Sequence, residues 1–148
     1  MVTADPFEPN PNLSVAELNK LIYRSIVAKE YESAYRYADQ KMNKIIEDLL
    51  DMADEDLTLI AYTEAMIGEW RLVKDTLQVL YEDGDVLVDE EHLDLYGLVA
   101  AALWHLRRKH RRRAKELLLL AAKCEPTKNH LGADEAVLQQ VAELLKAK

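Results

Sequence analysis

At 148 residues the chain fits one domain with room for a real core, and 49% apolar with 31% charged residues is the balance of a soluble globular protein. A net charge of −8 argues against general nucleic-acid binding, the single cysteine, Cys124, excludes an internal disulfide and fits a reducing cytoplasm, and no apolar run approaches the roughly 20 residues of a membrane span. There are only four Gly, and three of the four Pro (Pro6, Pro9, Pro11) crowd the N-terminus, so the remainder is expected to be all-α.

Residues 1–13 are acidic and Pro-rich, without the basic start and apolar stretch of a signal peptide, and read as a loosely packed arm. Ser14 with Glu17 forms a capping box, predicting a first helix from Val15 to Lys29 with Leu18, Leu21, Ile22 and Ile26 on one stripe. A second helix is expected from Tyr31 to Met52. The acidic turn Asp54-Glu55-Asp56 suits the N-terminal dipole of a third, which reaches Gly68. The fourth carries Trp70, Val73, Leu77 and Leu80 and ends before Gly84. A loop follows over 83–89, with a short extended piece at Val86-Leu87-Val88. Asp89 is the expected N-cap of a fifth helix running to Arg108. The sixth runs from Arg111 to Lys123 and stops before Pro126, and the seventh spans about 133–147. The apolar stripe of the seventh includes Ala136, Val137, Val141, Leu144 and Leu145, with Gln140 among them. A final helix with one polar face suits the role of capping the last open core.

One pattern occurs three times. Leu18-x2-Leu21-Ile22 leads to Lys29-x-Tyr31-x2-Ala34-x3-Ala38; Leu57-x2-Ile60-Ala61 leads to Gly68-x-Trp70-x2-Val73-x3-Leu77; Leu98-x2-Ala101-Ala102 leads to Lys109-x-Arg111-x2-Ala114-x3-Leu118. The offsets, 39 and 41 residues, are those of helical repeat arrays, whose units bury their apolar faces on their neighbours. These residues resemble the tetratricopeptide repeat family, a helix–turn–helix unit with a Gly-x-Tyr-x2-Ala turn and second helix. The first-helix Trp and Tyr of that family are replaced here by Leu18, Leu57, Leu98 and by Ser25, Glu64, His105, and only the second unit keeps the turn Gly. The resemblance implies an antiparallel α-hairpin array of about three repeats, 15–48, 54–87 and 95–128, with a C-terminal capping helix, all in one domain over 14–148.

The resemblance also implies a concave groove lined by the first helix of each hairpin, which holds a partner's extended peptide or amphipathic helix. By position it would contain Asn19, Tyr23 and Ile26, then Thr58, Tyr62 and Met66, then Val99, Leu103 and Arg107. Tyr23 and Tyr62 fall on matching positions and are expected to stack. Among the residues with which some members of the family clamp a terminal carboxylate, only Asn19 and Arg107 match in type.

A second feature is the basic cluster Arg107, Arg108, Lys109, Arg111, Arg112, Arg113 and Lys115, with His110 inside it. Subtracting its seven positive charges from −8 leaves −15 for the rest of the chain. Such density forms a solvated turn that also neutralises the C-terminus of helix five, or docks an acidic partner, a second copy of the chain included, or binds RNA or phosphate directly, for which no RNA-binding signature or aromatic interleaving is present. No chemistry-bearing motif stands beside it. The carboxylates of 83–91 lack EF-hand spacing, and there is no phosphate-binding Gly loop. Cys124 has no CxxC partner and reads as a buried small hydrophobe. His105 and His110, about 140° apart on a continuous helix, are not expected to share a metal.

The sequence therefore predicts a cytoplasmic, non-enzymatic interaction module without metal or cofactor. It would bind a partner peptide or helix as an adaptor or small secretion-type chaperone does. The alternative is an oligomeric assembly or regulatory subunit that docks an acidic partner through 107–115.

Overall fold

A computed structural model describes residues 12–48, 50, 53–81 and 93–146. Within them the chain forms seven α-helices, α1 (Val15–Val27), α2 (Tyr31–Glu47), α3 (Asp54–Met66), α4 (Trp70–Tyr81), α5 (Leu95–Arg107), α6 (Arg111–Ala122) and α7 (Ala133–Lys146), with a short 3-10 turn at Lys128–His130 and no strand. The all-α hairpin array expected from the sequence is what is observed. The arm up to residue 11, the extended piece at Val86–Val88 and the acidic loop lie outside the described residues, while Leu13 already packs on the core.

Helix starts follow local chemistry. Ser14 Oγ accepts from Glu17 N at 3.1 Å and Glu17 Oε1 accepts from Ser14 N at 3.2 Å, closing the expected capping box. Asp56 Oδ2 accepts from Ala53 N at 3.1 Å at the start of α3. Two boundaries differ from expectation. α2 stops at Glu47 rather than Met52. α5 is capped by Asp94, not Asp89: one oxygen of Asp94 accepts from Gly97 N at 2.9 Å and the other from Thr58 Oγ1 at 2.9 Å. The contact to α3 selects Asp94 among the neighbouring acids.

The threefold pattern corresponds to one turn made three times. Lys29, Gly68 and Lys109 follow α1, α3 and α5 with φ of 60°, 78° and 65°, the left-handed conformation that reverses the chain into the next helix. Each turn closes with the same two backbone bonds. Lys29 N donates to Ile26 O and Glu30 N to Ser25 O. Gly68 N donates to Ala65 O and Glu69 N to Glu64 O. Lys109 N donates to Leu106 O and His110 N to His105 O. The hairpins α1–α2, α3–α4 and α5–α6 result, with buried Ala34 and Ala114 letting their helices cross closely.

Neighbouring hairpins stack through their first helices. α3 is buried from Thr58 through Ala65 and α5 from Leu95 through Ala102, so both are enclosed on nearly every side. Small side chains allow this closeness. A Cβ on Gly97 would stand 2.8 Å from Thr58 Cγ2 and 2.9 Å from Leu93 Cβ. Lys41 is buried within the stack. Lys41 Nζ, on α2, reaches Asp56 Oδ1 at 2.8 Å and Asn19 Oδ1 at 2.9 Å, so a desolvated ammonium ties three helices together through its partners.

α7 does more than cap the last hairpin. It packs along α6 and also reaches α1 and α5, crossing the face that the first helices of the hairpins share.

Candidate functional site

The face formed by α1, α3 and α5 is where the sequence places a groove, and α7 lies on it. Tyr62 Oη donates to Gln140 Oε1 at 2.6 Å, and Gln140 Nε2 donates to Met66 Sδ at 3.1 Å, so one amide of α7 binds two side chains of α3. Tyr96 Oη, on α5, donates to Asp134 Oδ1 at 2.6 Å. The same carboxylate accepts from His130 Nδ1 at 2.8 Å and, through Oδ2, from Thr127 N at 2.8 Å. The His130 ring stacks on Tyr23 of α1 with centroids 4.3 Å apart. α3 and α5 thus meet α7 through polar groups set within an apolar interface, and α1 meets the turn before it through the Tyr23–His130 stack.

This changes the reading of the predicted groove residues. Ile26, Thr58, Tyr62 and Val99 are buried, and Asn19, Tyr23, Met66 and Leu103 are half-buried. Arg107 alone is exposed, outside the interface with α7. Asn19 is held by Lys41 and Thr58 by Asp94, so neither presents its polar atoms to a ligand in the expected manner. The expected Tyr23–Tyr62 stack is also revised. Tyr96 stands between them, 6.0 Å from Tyr23 and 5.5 Å from Tyr62, the latter pair edge to face. Burial pushes the phenols of Tyr23, Tyr62 and Tyr96 well up, with Asp134 adding to the effect at Tyr96 and Tyr23. All three stay neutral donors at any ordinary pH.

Tyr96, His130 and Asp134 are residues that sequence reasoning missed. Tyr96 lies outside the repeat register that assigned Val99 and Leu103. Gln140 carried a signal, as a lone amide within an apolar stripe, which needs a partner when buried. What stays open of this face is a cavity of about 250 Å³ at the end of α1, lined by Ile26, Val27, Tyr31, Tyr62 and Gln140 among others.

The basic cluster occupies the turn between α5 and α6. Arg107 and Arg108 follow the dipole of α5 favourably, and Arg108 lies over the Trp104 ring at 5.4 Å. Arg111, Arg112 and Arg113 sit in the first turn of α6, which carries no acid, where the dipole opposes positive charge. Arg113 Nη1 pairs with Glu116 Oε2 at 3.0 Å. The left-handed Lys109 changes the geometry on which the expectation for the histidines was based, though not the expectation itself. His105 is on α5 and His110 is the N-cap residue of α6, across the turn, and their Nδ1 atoms are 3.4 Å apart. That is about the separation of two imidazole ligands around a tetrahedral zinc. Among the described residues no group of three or more His, Cys, Asp or Glu is placed to hold a metal.

Cys124 is half-buried, its thiol directed at Leu120 O at 3.8 Å, and burial raises its pKa, so it is neither the fully buried residue expected nor an activated nucleophile. Glu64, on α3 and 4% exposed, accepts from Thr76 Oγ1 at 2.8 Å. Burial pushes its carboxyl up to about 7, against the lowering effect of that hydrogen bond, with Asp39, Asp75 and Glu69 adding repulsion. No described helix is long and apolar enough to cross a membrane.

No protein-family model matches the chain, and no solved structure matches it. One stretch of 77 residues is 34% identical to part of a protein described as a chaperone protein HscA homolog, from Burkholderia ambifaria (strain MC40-6). The stretch is 52% of this chain and 12% of that protein, so the similarity is partial and on the side of chaperones.

Proposed function

We propose that the chain is a non-enzymatic interaction module of adaptor or chaperone type, a tetratricopeptide-like array that holds a partner's amphipathic helix against the face of α1, α3 and α5. The observation that supports this reading is the seat of α7. That face already receives an amphipathic helix, through Tyr62, Met66 and Tyr96 acting on Gln140 and Asp134. In the free protein α7 is the occupant. A partner helix enters at the open cavity beside Val27 and Tyr31 and competes with α7 for the same side chains. The partial similarity to a chaperone agrees with this class of activity.

The test is capture of partners by the tagged full-length chain from its native lysate, followed by mass spectrometry. Gln140→Ala loosens α7 by about 1–2 kcal/mol and is expected to capture more of the same partner than the wild type. Met66→Glu places a charge on the receiving face and is expected to capture none while its helical circular dichroism persists. Equal capture by all three proteins would remove the inner face from consideration. Tyr62→Ala is unsuitable for this purpose. The ring is 1% exposed, and its loss is expected to cost about 3–5 kcal/mol of stability.

A further inference from the structure

At the far end of the molecule from the α7 start, α5, α6 and α7 enclose a second cavity, of about 480 Å³. Its floor is Leu106, Leu118, Leu144 and Leu145. Its rim is Arg111, Lys115 and Lys146, one cation from each of two successive turns of α6 and one from the last turn of α7. None of the described residues lining it is acidic. The rim continues outward into Arg107, Arg108, Lys109 and Arg112, all exposed. We propose that this groove docks an acidic amphipathic segment of a partner protein, its apolar side chains on the leucine floor and its carboxylates on the rim.

The placement of charge argues for an anionic occupant. Arg111 and Arg112 open α6 against its dipole beside Arg113, whose charge Glu116 already offsets, and an approaching anion would relieve the remaining repulsion. The leucine floor argues for side chains rather than a bare polyanion, since the half-buried Leu106, Leu144 and Leu145 gain nothing from a phosphate backbone. The spread of cations beyond the cavity argues for an extended partner rather than one small amphiphile, which would use a single carboxylate. With the rest of the sequence at −15, this cluster is the concentration of positive charge to which any acidic partner would be drawn. The site lies away from the α1, α3 and α5 face, but Leu144, Leu145 and Lys146 belong to α7, so the groove is complete only while α7 is seated.

The experiment measures fluorescence anisotropy of a labelled Glu/Leu peptide, with leucines at helical spacing, on the full-length chain. Two control peptides are its Lys/Leu counterpart and a Glu peptide without leucines. The Glu/Leu peptide is expected to bind, and the controls to bind at least about tenfold more weakly. Lys115→Glu with Lys146→Glu, both exposed and harmless to the fold, is expected to weaken Glu/Leu binding by about tenfold or more, and the interaction is expected to fade as salt rises. Leu145→Gln, checked by circular dichroism, is expected to weaken it with little change in salt dependence. Undiminished binding by the double charge variant overturns the proposal. So does equal binding of the leucine-free peptide, or tighter binding of single-stranded RNA or of laurate than of the Glu/Leu peptide.

Discussion

Glu64 carries the clearest pH signature of any single residue. It is an acid whose folded pKa lies above its ordinary value of 4.5, at about 7, because it is buried. Between those values the folded state holds more protons than the unfolded chain, so stability falls as pH climbs through the window. The melting temperature is expected to be lower at pH 8 than at pH 5, and Glu64→Gln is expected to flatten that difference and to raise the value at pH 8. A wild-type slope retained in the variant would show that Glu64 is not its source. This behaviour was not readable in the sequence. Glu64 occupies the position of an aromatic in the resembled family, and nothing in its neighbours announces that the acid is buried beside Thr76. The Lys41–Asp56–Asn19 contact was hidden for the same reason, since its partners come from three helices.

At the level of elements, the turns decide the architecture. Gly68 has φ of 78° and nothing within 4 Å of a Cβ built on it, so Gly68→Ala tests backbone conformation alone. It is expected to cost about 1–2 kcal/mol in urea unfolding. Lys109, at φ 65°, already carries that strain, and Lys109→Gly is expected to gain up to about 1 kcal/mol, offset in part by the entropy of the unfolded glycine. A neutral Gly68→Ala would mean that the left-handed turn is absent in solution. The spacing Lys29/Gly68/Lys109 was legible because it is local, each turn being built from residues within five positions of one another. The cap of α5 was misplaced because several acids precede that helix, and the choice of Asp94 depends on a hydroxyl of α3, 36 residues earlier. The separation of the two histidines was misjudged because 140° applies to an unbroken helix, and Lys109 breaks it.

For the molecule as a whole, α7 alters what a hairpin array does. An open array has only neighbour contacts and unfolds from its ends. Here α7 reaches from α6 to α1, which joins the first and last hairpins. Asp134 is the centre of that closure, accepting from Tyr96, His130 and Thr127. Asp134→Ala leaves the buried Tyr96 hydroxyl unpaired, at about 1–3 kcal/mol. It is expected to reduce amide hydrogen-exchange protection in α1 and α5 as well as in α7. Loss of protection confined to α7 would show that the closure is not cooperative.

The helices, their hairpin pairing and their turns followed from the sequence by itself, because periodicity, caps and left-handed positions act over a few residues. So did the density of charge at 107–115, which composition alone discloses. Which surface stays open was decided by tertiary structure. The predicted groove residues are apolar and aromatic whether they meet a partner or the chain's own last helix, so the pattern cannot distinguish the two. Only the return of α7, fixed by Gln140 and Asp134 reaching residues 38 to 78 positions away, covers that face and leaves the cationic, leucine-floored groove exposed at the other end.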